Sequence, residues 1–157
     1  MRAILFPTAA AILLFSLTSI STQGTDPVVG TWELNVARSH FSSGPPPKSE
    51  MRTYAMAGQE IKATSKTVGA DGKTTTGAWS VVYDGKDRPQ SGSPDVDSLA
   101  LTRIDPFHTA AVEKKGGKVV SLGTRVISPD GKTMTITDNG TNAKGQPVAN
   151  VLVYDKR

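Results

Sequence analysis

The residues most able to bind an anion are two arginines that fall in the apolar phase of strand-like segments. Arg103 shares a face with Leu99 and Leu101, and Arg125 shares one with Ile127, because alternate residues of a strand point to the same side. A guanidinium that faces an apolar interior needs an anionic partner, and a ligand carboxylate can supply one through two parallel hydrogen bonds. The alternative interpretation is that each side chain follows the wall and carries its charge to solvent. We therefore treat Arg103 and Arg125 as candidate ligand-binding residues.

Three aromatic residues have the spacing of a pocket wall. Trp79 and Tyr83 lie in phase on one segment, with Gly77 two positions before Trp79, and a glycine within a strand often marks the close approach of a ligand or of another backbone segment. Trp32 shares a face with Leu34 near the start of the domain. These patterns fit the lining of a ligand cavity, and they also fit a packed core, since large aromatic side chains dominate cores in general. Trp32, Trp79 and Tyr83 join the arginines as candidate ligand-binding residues.

No set of residues has the spacing of a catalytic or metal-binding motif. The two histidines, His40 and His108, have no second ligand at a zinc-type spacing, and no Gly-x-Ser-x-Gly nucleophile elbow occurs. Asp95 and Asp97 lack the glycine and glutamate that complete a calcium loop, so we interpret residues 91–97 as a solvated loop or as a lid at a barrel mouth. The sequence predicts a protein that is not an enzyme and that holds no metal and no cofactor.

Turn signals at short spacing predict an all-β domain. Asp-Gly-Lys occurs three times, at residues 71–73, 84–86 and 130–132, and each glycine can take the positive φ that a tight hairpin needs. Apolar residues do not recur at helical spacing, whereas threonine and valine, which suit strands, are frequent. The segments between turns predict nine strands, or ten if residues 86–90 pair. Consecutive hairpins favour an up-and-down antiparallel β-barrel of roughly eight to ten strands, because closure hides both sheet edges.

The first residues have the order of a secretory signal. A positive charge precedes an apolar run at residues 3–17, and the small residues Ser19 and Ser21 follow it. We therefore predict a signal peptide at residues 1–21, cleaved after Ser21. The alternative is an uncleaved membrane anchor, for which the run is shorter than the roughly 20 apolar residues of a spanning helix. Residues 22–157 are then a single exported domain, periplasmic or extracellular.

Composition narrows the classes of partner. The chain of 157 residues contains no cysteine, which excludes disulfides, thiolate chemistry and a lipid anchor on an N-terminal cysteine. Its formal net charge of +4 is spread along the sequence, with no basic run interleaved with aromatic residues. We therefore expect no nucleic-acid partner and, after signal cleavage, no stable membrane anchor.

Gly30-Thr31-Trp32 stands on the first predicted strand, directly after the start of the mature domain. In that position Gly-x-Trp resembles the signature of lipocalins and other calycins. The resemblance implies a lipocalin-like barrel in which the tryptophan lies across the closed end and an arginine from a late strand packs over it. The sequence departs from that pattern, because Arg125 is not on the last predicted strand and Arg157 is the terminal residue. The Asp-Gly-Lys turns and the closing Val-Tyr-Asp-Lys at residues 153–156 also resemble small exported bacterial proteins of no known activity.

Two hypotheses of function follow. The first is an exported, non-catalytic binding protein that holds a small apolar or amphipathic molecule inside the barrel. The alternative is a structural or protein-interaction domain whose barrel is filled by its own side chains and takes no ligand. The two hypotheses differ in whether the interior is empty or full, and neither predicts an oligomeric state.

Overall fold

The structure is a computed structural model that describes residues 25–58 and 60–157. The predicted signal peptide, residues 1–21, lies outside this part of the chain. The strands are β1 (Gly30–Leu34), β2 (Ser49–Ala57), β3 (Glu60–Val68), β4 (Thr74–Val81), β5 (Arg88–Ser91), β6 (Ser98–Arg103), β7 (His108–Lys115), β8 (Lys118–Ile127), β9 (Thr133–Thr141) and β10 (Pro147–Lys156). A 3-10 helix at Val36–Arg38 follows β1. The described residues include no helix long and apolar enough to cross a membrane.

Every strand pairs antiparallel with its neighbours in sequence, and β1 pairs with β10 to close the sheet. The molecule is therefore an all-β, up-and-down barrel of ten strands, and the predicted fold class is confirmed. The sequence did not decide whether residues 86–90 pair, and in the structure β5 forms a strand there. It pairs with β4 through Trp79 and Gln90 and with β6 through Arg88 and Leu99. Closure gives each described strand two partners, which removes the exposed edges of an open sheet.

The three Asp-Gly-Lys turns share one local solution. In each, Oδ1 of the aspartate accepts a hydrogen bond of 3.0–3.1 Å from the backbone N–H of the lysine. The central glycines have φ of 83°, 69° and 69°, a region that residues with a Cβ rarely occupy. The positive φ predicted for these glycines is confirmed, and the turns set the spacing of the strands.

One end of the barrel is filled by apolar side chains. Trp32, Met134 and Tyr154 are fully buried, and Val28 from the segment before β1 packs with them. Nε1 of Trp32 donates a hydrogen bond of 2.7 Å to the Val28 carbonyl oxygen, which holds that segment across the barrel. We call this the closed end. It carries the β2–β3, β4–β5, β6–β7 and β8–β9 connections, and the open end carries the other hairpins.

A lysine, and not an arginine, packs over the buried tryptophan. Lys156 of β10 lies opposite Trp32 in the register, and its Nζ is 5.0 Å from the centroid of the Trp32 ring. A Cβ on Gly30 would lie 2.7 Å from Cε of Lys156, so the glycine of Gly-x-Trp leaves room for this side chain. Arg125 lies instead beside two tyrosine rings, and Arg157 forms an ion pair at the surface.

The segment after β1 completes the wall at the open end. His40 exchanges two backbone hydrogen bonds with Val151 of β10, of 2.7 and 2.9 Å, and the N–H of Ser42 donates to Oδ1 of Asn150 over 3.0 Å. Since β1 has five residues and β10 has ten, this segment covers the part of β10 that β1 does not reach.

Candidate functional site

The barrel interior contains a cavity of about 290 Å³ that leads to the open end. This volume is near the lower limit of roughly 300 Å³ for small-molecule sites. The interior is thus filled at the closed end and hollow towards the open end. The walls combine aliphatic, hydroxyl and aromatic residues with six charged side chains, which are Glu50, Arg52, Asp95, Glu113, Arg125 and Asp138.

Arg125 of β8 is the buried cation in the cavity wall. The residue is 7% exposed, and its Nη2 donates to the Tyr83 hydroxyl over 2.7 Å and to Oγ1 of Thr109 over 3.2 Å. Its guanidinium carbon lies 5.7 Å from the ring centroids of Tyr54 and Tyr83. Among the described residues, no carboxylate lies within 4.0 Å of this guanidinium. Neutral oxygens and ring faces surround the cation, and within the described part of the chain its charge has no counter-ion.

Arg52 and Glu50 form an ion pair in the wall of β2. Nε of Arg52 lies 2.5 Å from Oε1 of Glu50, and the Tyr154 hydroxyl donates to the same oxygen over 3.1 Å. Burial raises the pKa of Tyr154 well above its usual value, so the phenol keeps its proton and remains a donor. The guanidinium of Arg52 also lies over the rings of Tyr154 and Trp79, at 4.9 and 5.7 Å. Arg52 and Glu50 therefore neutralise each other's charge.

Glu113 of β7 and Asp138 of β9 are carboxylates without an ion pair among the described residues. Burial first, and then repulsion from Asp138, raises the pKa of Glu113 from 4.5 to about 7, against the attraction of Arg52. Burial and repulsion from Glu50 also raise the pKa of Asp138. A Cβ on Gly123 would lie 2.7 Å from Oδ1 of Asp138, so the missing side chain of Gly123 provides the space that the carboxylate occupies.

The aromatic part of the wall is a perpendicular pair. The ring centroids of Tyr54 and Trp79 are 5.9 Å apart at an interplanar angle of 83°, an edge-to-face arrangement that aromatic side chains favour.

Gly77 lies two residues before Trp79 on β4, and a Cβ there would lie 2.9 Å from the Ser91 carbonyl oxygen. The glycine therefore marks the close approach of another backbone segment, which is one of the two meanings that the sequence left open.

Residues 91–97 form part of the cavity mouth. Asp95 lines the cavity, and its Oδ1 accepts a hydrogen bond of 2.6 Å from the backbone N–H of Ala143 in the β9–β10 hairpin. Val96 is buried, at 6% exposure. The loop is thus tied to the opposite rim, which agrees with a position at the mouth and not with a fully solvated loop.

The structure brings together three of the five predicted ligand-binding residues. Trp79 and Arg125 line the cavity, and Tyr83 lies below it and accepts the hydrogen bond from Arg125. Trp32 lies in the packed closed end, outside the cavity lining. Arg103 also lies outside the lining, where its guanidinium stacks 3.8 Å above the Tyr83 ring centroid and pairs with Asp26.

A second depression, of about 990 Å³, lies at the closed end. Its charged lining residues are Asp26, Glu60, Arg88 and Arg103. Each of them already has an ionic partner: Asp26 pairs with Arg103, Glu60 with Lys62, and Arg88 with Asp84. Each charge in this depression thus has a counter-ion, whereas Arg125 has none among the described residues, so the cavity inside the barrel is the stronger candidate site despite its smaller volume.

Four charged residues of the cavity were not predicted from the sequence. They are Glu50, Arg52, Glu113 and Asp138. The signal was the same as for Arg125: Asp138 lies in phase with Met134 and Ile136 on β9, and Glu113 lies in phase with Ala111 on β7. At these positions too, a charged residue that alternates with the apolar residues of a strand faces the interior.

The chain matches no protein-family model and no curated protein. Within residues 25–58 and 60–157, no three His, Asp or Glu side chains come close enough to hold a metal ion. His108 instead pairs at the surface with Asp105, with Nδ1 2.8 Å from Oδ2. The charges and walls of the cavity are therefore the observations that bear on function.

Proposed function

We propose that the protein is an exported, non-catalytic binding protein, and that its barrel holds a small amphipathic molecule through a carboxylate on Arg125. The observation that carries this proposal is an arginine, Arg125, that is 7% exposed, lines a cavity and has no counter-ion among the described residues. A buried cation is costly unless it is paired. A carboxylate in the cavity would provide the partner and could accept two parallel hydrogen bonds.

The walls favour an amphipathic ligand over a purely apolar one. Tyr54, Trp79, Leu99 and Leu101 offer apolar contact. If a hydrocarbon filled the cavity, Arg125, Glu113 and Asp138, which form no ion pair among the described residues, would lose water without compensation. We propose binding and not catalysis because of the state of Glu50. This cavity carboxylate already accepts hydrogen bonds from Arg52 and Tyr154, so it is not free to act as an acid or a base.

The packed closed end supports the second candidate, a structural or protein-interaction domain. Trp32, Met134, Tyr154 and Val28 are fully buried and fill that half of the barrel, so the fold does not need a ligand for its core. The two candidates make opposite predictions for the hollow half, because only the binding protein must take up a carboxylate there.

The test is a calorimetric titration of octanoate and of octanol into the wild-type protein, Arg125→Gln, Arg125→Lys and Arg38→Gln. Arg38 is an exposed arginine that pairs with Asp155 outside the cavity, so Arg38→Gln is the matched control. We expect octanoate to bind the wild type and Arg38→Gln equally, and to bind Arg125→Gln at least about tenfold more weakly. Arg125→Lys keeps the charge but loses the planar fork, and should lie between them. Octanol affinity should not change.

The two tryptophans of the chain report where the probe binds. Trp79 lines the cavity and Trp32 does not, so octanoate should change the fluorescence of Trp32→Phe but not that of Trp79→Phe. Octanoate affinity that survives Arg125→Gln in a folded protein, or a response confined to Trp32, would overturn the proposal. The absence of any binding would favour the filled, structural barrel.

A further inference from the structure

We propose that the ligand is a zwitterion, whose basic group binds between Glu113 and Asp138 near the open end while its acidic group lies on Arg125. This inference rests on the proposed function, and it adds the class of ligand. Two separate observations on the described residues carry it: a guanidinium without an ion pair deep in the cavity, and carboxylates without an ion pair nearer the mouth of the same cavity.

The strand register separates the two charges along the barrel axis. Ser121, Gly123 and Arg125 face the interior in succession on β8, with Glu113 opposite Ser121 and Asp138 opposite Gly123. Since β8 runs towards the closed end, Arg125 lies about 7 Å deeper than Gly123 and about 14 Å deeper than Ser121, measured along the strand. A bound molecule therefore meets positive charge at the floor and negative charge nearer the mouth.

The upper part of the cavity has fewer cations than carboxylates. Glu50, Glu113 and Asp138 share the single guanidinium of Arg52, which attracts all three but forms an ion pair only with Glu50. Asp95 at the rim adds to the repulsion that Glu113 feels, and Ser121 is the hydroxyl that faces Glu113. A ligand cation beside Glu113 and Asp138 would relieve this repulsion.

The raised pKa values support this arrangement. Burial and repulsion from Asp138 raise the pKa of Glu113 to about 7, and burial and repulsion from Glu50 raise the pKa of Asp138, so the charged form of both carboxylates is disfavoured. An ammonium between them would favour the charged forms. An organic ammonium fits better than a metal ion, because the described part of the chain offers no set of three metal-ligating side chains.

The test compares three probes that share one hydrocarbon chain: ω-aminooctanoate, octanoate and octylamine. They are titrated by calorimetry at alkaline pH into the wild type, the double variant Glu113→Gln with Asp138→Asn, and Glu60→Gln. Glu60 is an exposed carboxylate paired with Lys62 on the outer wall, so Glu60→Gln makes the same chemical change outside the cavity. Urea unfolding checks that each variant is folded, and the double variant should be stable because it removes repelling charges.

We expect the wild type and Glu60→Gln to bind ω-aminooctanoate more tightly than octanoate. The double variant should lose at least about tenfold in affinity for ω-aminooctanoate and for octylamine, and should bind octanoate as tightly as before or more tightly. If octanoate binding depends on Arg125 but the amino group adds no affinity in the wild type, the zwitterion inference is wrong and the proposed function stands. If no carboxylate probe binds, the proposed function fails and this inference fails with it.

Discussion

Arg125 donates a hydrogen bond of 2.7 Å from Nη2 to the hydroxyl of Tyr83, and this contact joins the floor of the cavity to the packed closed end. Arg125 comes from β8, and Tyr83 follows β4 on another part of the barrel wall. The ring of Tyr83 also contacts the guanidinium of Arg103, which pairs with Asp26. Burial raises the pKa of Tyr83 to about 12, so its hydroxyl stays neutral and accepts from the arginine at physiological pH.

Tyr83→Phe should destabilise the fold by about 1–3 kcal/mol, because a buried guanidinium loses a hydrogen-bond acceptor. Tyr54→Phe is the matched control: its ring lies at the same 5.7 Å from Arg125, but its hydroxyl takes no part in the hydrogen bonds of Arg125. Urea unfolding of the two variants measures the difference. Equal losses would show that the hydroxyl of Tyr83 does not hold Arg125.

Glu113→Gln should flatten the pH dependence of stability between about pH 4.5 and 7. The pKa of Glu113 is raised from 4.5 to about 7 in the folded protein, so between these values the folded state holds more protons than the unfolded state. Stability from this group is therefore fully present below pH 4.5 and is lost as the pH rises through about 7, by at most about 3 kcal/mol. Urea unfolding over this pH range measures the slope.

The control for that pH series is Glu60→Gln, at an exposed carboxylate whose pKa the Lys62 hydrogen bond lowers. A lowered pKa makes stability rise with pH, which is opposite to the effect of Glu113. Glu60→Gln should therefore not remove the fall in stability towards alkaline pH. A wild-type protein that gained stability between pH 5 and 7, with no change in Glu113→Gln, would contradict the assignment of the buried carboxylate.

Lys156→Met should lower the free energy of unfolding by about 0.5–1 kcal/mol through loss of the cation over the Trp32 ring and of its 3.3 Å hydrogen bond to the Pro27 carbonyl oxygen. Methionine keeps most of the apolar stem that packs on Gly30, so the change tests the charge rather than the volume. Lys118→Met, at an exposed position in the β7–β8 hairpin, is the control and should have little effect. If the two variants lose the same stability, the lysine does not act through the tryptophan ring.

Much of the fold could be predicted because its causes are local. The Asp-Gly-Lys turns act through a glycine φ and one hydrogen bond within three residues, and they were recognisable without any tertiary contact. Alternation along β8 likewise put Arg125 in phase with Ile127, on the side that faces the interior in the structure. These features depend on neighbours in sequence, so a single chain contains the information.

The site was less predictable because its charges meet only when the barrel closes. Arg103 has the same phase as Arg125, but it is the last residue of β6, and Asp26 from before β1 supplies its counter-ion. The packing of Lys156 on Trp32 likewise requires β10 to pair with β1. No local pattern distinguishes an arginine that finds such a partner from one that does not.

The sequence by itself determined nine of the ten strands, the tight turns and the apolar side of the strands, because strand periodicity and glycine φ are properties of the local chain. The tertiary structure decided which charges are left unpaired. Glu113, Arg125 and Asp138 belong to three adjacent strands. From β2, the charge of Arg52 acts across the interior on Glu113 and Asp138, and the charge of Glu50 acts on Asp138. The surplus of positive charge at the floor and of negative charge nearer the mouth depends on register and closure, since these set the distances over which the charges act.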